Sequence, residues 1–167
     1  TPKGSSTGKT IDYQLFWKHS ISVALCAKIT AANSGVTELG DAFSCGILHD
    51  IGKVVFDQYA HTDYVEVFKS IPLKYSSKQL LEAEQKIIGT NHADIGYRVA
   101  DKWNLPSTLS ESIRCHHNPL ESVSNSKLVS CIYIGNIISN LITKNNGLLN
   151  YSLFDPNVIE FMELDES

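Results

Sequence analysis

Gly46-Ile47-Leu48-His49-Asp50-Ile51-Gly52-Lys53 closes an apolar helical run with two adjacent metal-competent side chains, then a glycine, then a lysine. Imidazole and carboxylate are good ligands for a transition metal, and a nearby lysine suits an anion such as phosphate. Neighbours on a continuous helix point roughly 100° apart, so one ion takes both most easily where the backbone leaves the helix, as Gly52 would allow. Two adjacent ligands establish little alone. The stretch decides the fold because four of the other five histidines fall on apolar helical faces that can converge on it.

Upstream, Phe16, Val23, Ala24, Ala27 and Ala31 recur at spacings of three and four, which predicts a helix from Tyr13 to about Ala32 with His19 on the adjoining face. Asn33-Ser34-Gly35 stops it. Thr37 is placed to cap a second helix running to Leu48, with Glu38 and Asp41 in its first turn. Downstream, short helices are expected over Lys53 to Tyr59 and His61 to Ser70, with His61 in a polar, solvated start. Ser76 or Ser77 caps the next helix, through Ile88, with Glu82 and Glu84 on its solvent side. From His92 to Trp103, His92, Ile95, Gly96, Val99, Ala100 and Trp103 form one inward stripe. Pro106 opens a further helix in which Leu109, Ile113, His116 and His117 share a face, ended by Asn118-Pro119. Ser126 to about Leu141 is apolar nearly all round and is expected to be central. A loop at Asn145-Asn146-Gly147 leads to a terminal helix starting near Asp155-Pro156. No alternating strand pattern competes, so the domain reads as all-α.

With 167 residues, 43% of them apolar, the chain can bury one substantial core and needs no second domain. Residues 13–167 are expected to form the domain, with 1–12 a linker or the tail of a preceding segment. The chain opens at Thr1 and its only methionine is Met162, so it is read as a piece of a longer product. Gly4-Ser5-Ser6-Thr7-Gly8-Lys9-Thr10 imitates a phosphate-binding loop, but only three residues separate its glycines where four are required. No membrane span and no apolar leader is visible, and a cytoplasmic location follows by default. Cys26, Cys45, Cys115 and Cys131 are widely spaced among apolar neighbours and read as buried thiols. A net charge of -4 without clustered Lys and Arg argues against a broad nucleic-acid surface.

His19, His49, His92, His116 and His117, with Asp50, therefore come from different helices, each on a buried face or a helix end. One histidine in such a place is usually structural; five of six are harder to dismiss. Uncharged imidazoles with a carboxylate suit Fe, Mn, Co, Ni or Zn better than Mg or Ca.

The pattern resembles the HDOD family, a branch of the HD superfamily of metal-dependent phosphohydrolases. The resemblance is carried by Trp17-Lys18-His19-Ser20, by the His49-Asp50 stretch, and by Glu84 to Gly89 leading to His92-Ala93-Asp94-Ile95-Gly96. Trp103-Asn104-Leu105-Pro106 and His116-His117 complete it. It spans roughly Tyr13 to Leu141. The Trp-Asn-Leu-Pro and Trp-x-His-Ser elements favour HDOD over the related HD-GYP cyclic-dinucleotide phosphodiesterases, and no Gly-Tyr-Pro follows His116-His117.

The resemblance implies an all-helical HD-type core with five or more helices around a His/Asp site. It implies His19, His49, Asp50, His92, His116 and His117 as metal ligands, and Asp50 with Lys53 as the catalytic pair. Asp50 would bridge two subsites, His19 and His49 on one side and His92, His116 and His117 on the other. In an active enzyme the metal would lower the pKa of a bound water to roughly 7 while Lys53 steadied the anion. Two departures stand out. HDOD domains usually carry a helical region before Trp-x-His-Ser, of which this chain holds almost none. HD enzymes also supply a last aspartate from a late apolar helix, where this chain has Asn136, and no carboxylate occurs between Glu121 and Asp155. One divalent ion is therefore expected rather than two. The implied function is a bacterial signalling or regulatory module that binds a protein partner or a small phosphate-containing effector. The alternative is a metal-dependent phosphohydrolase acting on a phosphodiester or nucleotide, cyclic dinucleotides included.

Overall fold

The computed structural model describes residues 10–143 and 153–164. Within them the chain forms nine α-helices and one 3-10 turn, with no strand. The loop expected at Asn145-Asn146-Gly147 lies outside the described residues.

Helix α1 (Tyr13–Asn33) starts where the Asp12 carboxylate accepts the backbone N–H groups of Gln14 and Leu15 at 2.9 and 3.1 Å. Thr10 also docks onto the domain, donating its N–H to Asp57 at 3.0 Å. Its buried face, Phe16, Ser20, Val23, Ala24, Ala27 and Ala31, is mostly small, which lets two helices approach closely. They are α2 (Leu39–Leu48) and the long α8 (Ser126–Thr143). Gly46 of α2 lies against Ala24, and Gly135 of α8 lies against Val23 and Ala27. Together with α9 (Pro156–Phe161) they enclose the larger core, which includes Val23, Ala27, Cys45, Cys131, Ile132 and Val158.

A second core joins α3 (Ile51–Tyr59), α4 (His61–Ser70) and α5 (Ser77–Ile88) around Phe56, Tyr64, Val67 and Leu80. Ser76, rather than Ser77, caps α5 in a reciprocal arrangement with Gln79, and Gly89 ends it at φ 86°. Helices α6 (His92–Lys102) and α7 (Ser107–Cys115) pack on each other, followed by the 3-10 turn at Pro119–Glu121. The chain crosses from one core to the other at His49-Asp50, between α2 and α3.

Four local expectations are corrected. Thr37 does not cap α2, because its hydroxyl is taken by the neighbouring Glu38 carboxylate at 2.6 Å, and Glu38 occupies the cap position. Pro106 sits just outside α7, with extended ψ of 144°. Trp103 ends α6 instead of continuing its buried stripe and is 65% exposed, with Asn104 left-handed at φ 54° after it. The break between α2 and α3 lies at His49-Asp50 itself. Gly52 is inside α3 and serves a different purpose: a side chain there would collide with the His92 carbonyl and the Gly96 nitrogen.

That close approach brings His92 to Asp50, so Gly52→Ala should lower Tm by about 5 °C or more through overpacking. Gly40→Ala, in α2 with nothing within 4 Å of the added carbon, should leave Tm within about 2 °C or raise it slightly. Thermal melts of the two variants check the contrast.

Candidate metal centre

Two helices end at the centre, and their last carbonyls decide how the histidines are presented. His49 is the C-cap of α2 and His116 the C-cap of α7. The carbonyls of a final helical turn lack intrahelical partners. His49 Nδ1 meets the Gly46 carbonyl at 2.8 Å, and His116 Nδ1 meets that of Ile113 at 2.8 Å. A carbonyl can only accept, so each Nδ1 carries the proton and each Nε2 is left as a lone-pair donor. Ending the helix at these residues also lets the sequence neighbours Asp50 and His117 turn toward the same place.

His92 opens α6 and is oriented differently. Glu84 Oε2 accepts both its backbone N–H, at 2.9 Å, and its ring Nδ1–H, at 2.7 Å. Glu84 is fully buried, so its expected place on the solvent side of α5 is corrected. It stands four residues after Leu80 and three before Ile87, on the edge of the apolar stripe, and that spacing was the available signal. Glu82, two residues earlier, is exposed. On α1, His19 Nδ1 faces the Ser139 hydroxyl of α8 at 3.0 Å.

Asp50 lies at the middle, 2% exposed, with its two oxygens turned to different groups. Oδ2 is 2.6 Å from Lys53 Nζ, 3.3 Å from His49 Nε2 and 3.8 Å from His19 Nε2. Oδ1 is 3.4 Å from His92 Nε2 and 3.5 Å from His116 Nε2. His92 and His117 bring their Nε2 atoms within 2.9 Å of each other. All six expected ligands and Lys53 are thus brought together. His61 is not among them and pairs with Asp57 at 3.4 Å.

These residues fit a divalent transition metal. His92, His116 and His117 form one cluster and His19, His49 and Asp50 another, the potential ligand atoms of each lying within 4.8 Å of one another. His49 Nε2, His116 Nε2 and Asp50 Oδ1 are buried and make no hydrogen bond. Buried polar atoms normally have partners, and lone pairs converging from several imidazoles are what a cation satisfies.

Burial alone would raise the Asp50 pKa, but the Lys53 ammonium beside it outweighs this and holds the carboxyl well below its usual range. Burial would likewise discharge Lys53, and Asp50 reverses this, raising its pKa. Burial pushes His116 down to about 4, aided by His49 and His92, and pushes His117 well below 6.5, aided by His116 and His92. Both are neutral at neutral pH, the form that binds metal.

A cavity of about 350 Å³ opens over the centre, lined in part by His19, Asp50, Lys53, His117, Asn136 and Asn140. Asn136 brings an amide instead of a carboxylate, and its carbonyl oxygen accepts from Asn140 Nδ2 at 2.9 Å. A neighbouring cavity shares Ser77, His117, Asn136 and Asn140 and extends to Lys78 and Asn118.

The HDOD domain family model matches residues 3–119. The chain belongs to the HDOD family. It is 29% identical over 100 residues to an uncharacterized protein of Treponema pallidum (strain Nichols), covering 59% of this chain and 19% of that one. Among solved structures it resembles a proposed phosphohydrolase from Shewanella amazonensis SB2B, with a TM-score of 0.71 and 24% identity, over 86% of this chain and 51% of that one. It also resembles a proposed signal transduction protein from Marinobacter aquaeolei VT8, with a TM-score of 0.72 and 20% identity, over 98% of this chain and 35% of that one. This HDOD chain therefore spans about a fifth of the curated relative and about half or less of these two solved chains. At these identities the solved structures establish the all-helical fold.

The depressed pKa values give the metal-free domain a pH-dependent stability. An unfolded His116 would titrate near 6.5 and the folded one near 4. As the pH falls the unfolded chain protonates first, so stability is intact above about 6.5 and declines toward 4. His116 alone contributes a loss of about 3 kcal/mol over that window. Melts of the chelator-treated protein should show Tm falling from pH 6.5 to 4, and a shallower fall in His116→Gln, where His117 still contributes.

Proposed function

We propose that this HDOD domain is a bacterial regulatory module whose centre holds one divalent transition-metal ion, Fe, Mn, Co, Ni or Zn, and couples it to an effector or protein partner. The observation that carries this reading is Asn136. At the cavity wall, where HD enzymes bring their last carboxylate, the chain has a neutral amide already engaged by Asn140. A carbonyl oxygen of an amide is a weaker metal ligand than a carboxylate, so a second ion lacks the charge to hold it. His19, His49 and Asp50 on one side and His92, His116 and His117 on the other are two groups, either of which would hold the ion, with Asp50 between them. When bound, the ion supplies Lewis acidity and an acidified water.

The effector is inferred to carry phosphate. The cavity over the centre brings the Lys53 ammonium beside a hydroxyl- and amide-bearing wall of Ser77, Asn136 and Asn140. The likeness to the Marinobacter signal transduction protein agrees with a signalling role. Among the described residues no helix is long and apolar enough to cross a membrane, and the four cysteines are unpaired, which fits action in the reducing cytoplasm.

A second reading, metal-dependent hydrolysis of a phosphodiester or nucleotide, is favoured by the five converging histidines and by the open cavity above Asp50 and Lys53. In that case Asp50 would anchor the metal and Lys53 would steady the developing negative charge.

Metal analysis of untagged protein should find close to one transition-metal ion per chain, and added Mn, Fe, Ni or Zn should raise Tm. Finding neither contradicts the metal reading. Asn136→Asp should increase metal content. The regulatory reading expects no turnover of a generic phosphodiester or of cyclic dinucleotides. Turnover abolished by Asp50→Ala would establish the hydrolase reading instead.

A further inference from the structure

The two halves of the centre are not equivalent, although each offers three ligand atoms. In the half formed by His19, His49 and Asp50, a cation is already present: Lys53 Nζ lies 2.6 Å from Asp50 Oδ2, closer than either imidazole. Among the described residues no ammonium or guanidinium bonds to His92, His116 or His117, and Asp50 Oδ1 completes the set at 3.4 and 3.5 Å from His92 and His116. Ligand atoms around a tetrahedral ion with bonds of about 2.0–2.1 Å stand about 3.3–3.4 Å apart, so the two Asp50 spacings suit one, while His92 Nε2 and His117 Nε2, 2.9 Å apart and sharing a proton, would part by about half an ångström to admit it.

The buried charges point the same way. Asp50 and Glu84 are two carboxylates, 2% and 0% exposed; among the described residues Lys53 bonds to Asp50, and no ammonium bonds to Glu84, whose partner is His92. Glu84 Oε1 is buried and makes no hydrogen bond, so the charge behind His92 lacks a full complement of partners. A buried carboxylate in that condition is costly unless a cation lies nearby. One divalent ion next to His92 meets that need, whereas a second, beside Lys53 and without a carboxylate at 136, adds uncompensated positive charge.

Resting on the one-ion reading above, we propose that Lys53 is the built-in cation of the His19/His49/Asp50 half, which confines the metal to His92, His116 and His117. In this assignment Glu84 is a positioning residue for the metal: it fixes the His92 tautomer and supplies negative charge behind the ring. Lys53 then sets stoichiometry and Glu84 sets affinity. Carboxylates that orient metal-binding histidines from outside typically change affinity by about 10–100-fold when lost.

The test is metal stoichiometry and affinity measured with Co²⁺ and Zn²⁺ on folded protein, by elemental analysis after dialysis and by titration of the cobalt absorption. Wild type and Lys53→Arg, which keeps the cation, should each bind one ion. Lys53→Met should bind two, with a second titration step. Glu84→Gln should weaken the single site about 10–100-fold, while Glu82→Gln, altering an exposed acid on the same helix, should not. Should Lys53→Met fail to fold without metal, the Glu84/Glu82 comparison and the wild-type stoichiometry still decide. Two ions in wild type, one ion in folded Lys53→Met, or unchanged affinity in Glu84→Gln would overturn the assignment while leaving a metal-binding domain. Absence of any bound ion in wild type would overturn the one-ion reading as well.

Discussion

A carboxylate removed from water costs several kcal/mol unless charges and hydrogen bonds replace its hydration, and Asp50 is almost fully buried at the meeting point of two cores. Much of the surrounding architecture answers that requirement. Helix α3 begins at once so that Lys53, three residues on, reaches back to Oδ2. Helices α2 and α7 end there, exposing imidazoles at their last turns. Gly52 removes the side chain that would keep α6, and so His92, away. These features lie on different helices, yet all of them meet at one aspartate.

The histidines are governed by what holds their far sides. Gly46 and Ile113 offer carbonyls to Nδ1, Glu84 offers a carboxylate, and the Ser139 hydroxyl faces His19. At His49, His92 and His116 the Nε2 lone pair consequently faces inward, where imidazole nitrogens and the Asp50 carboxylate form a donor set for a soft-to-borderline cation. The ends of α2 and α7 also direct the negative ends of two helix dipoles at the centre, which favours positive charge there. Asn136 is the exception to this convergence, since its amide oxygen is turned to Asn140.

The helices and the histidine faces were legible because both depend on spacing along one chain. His92 at the head of an inward row, and His116-His117 extending the Leu109/Ile113 face, needed only the helical period. Glu84 was misplaced because a charge on a stripe edge reads as solvated until its partner is known, and that partner lies eight residues away across a turn. Trp103 was misread because the period continues on paper after the backbone has left the helix at Lys102. The role of Gly52 was invisible for a related reason: it depends on the closeness of α6, which no local pattern encodes. The division of Asp50 between Lys53 and two histidine groups is likewise a tertiary property.

In the assignment proposed for this HDOD domain, charge at two positions sets how many ions the centre holds: the amide at 136 and the ammonium of Lys53. Anomalous diffraction from crystals of the wild-type protein grown with Mn²⁺ or Zn²⁺ tests this most directly. A single peak enclosed by His92, His116, His117 and Asp50 Oδ1, with Lys53 still on Oδ2, is the expected result. Two peaks bridged by Asp50, or one beside His19 and His49 with Lys53 displaced, would contradict it.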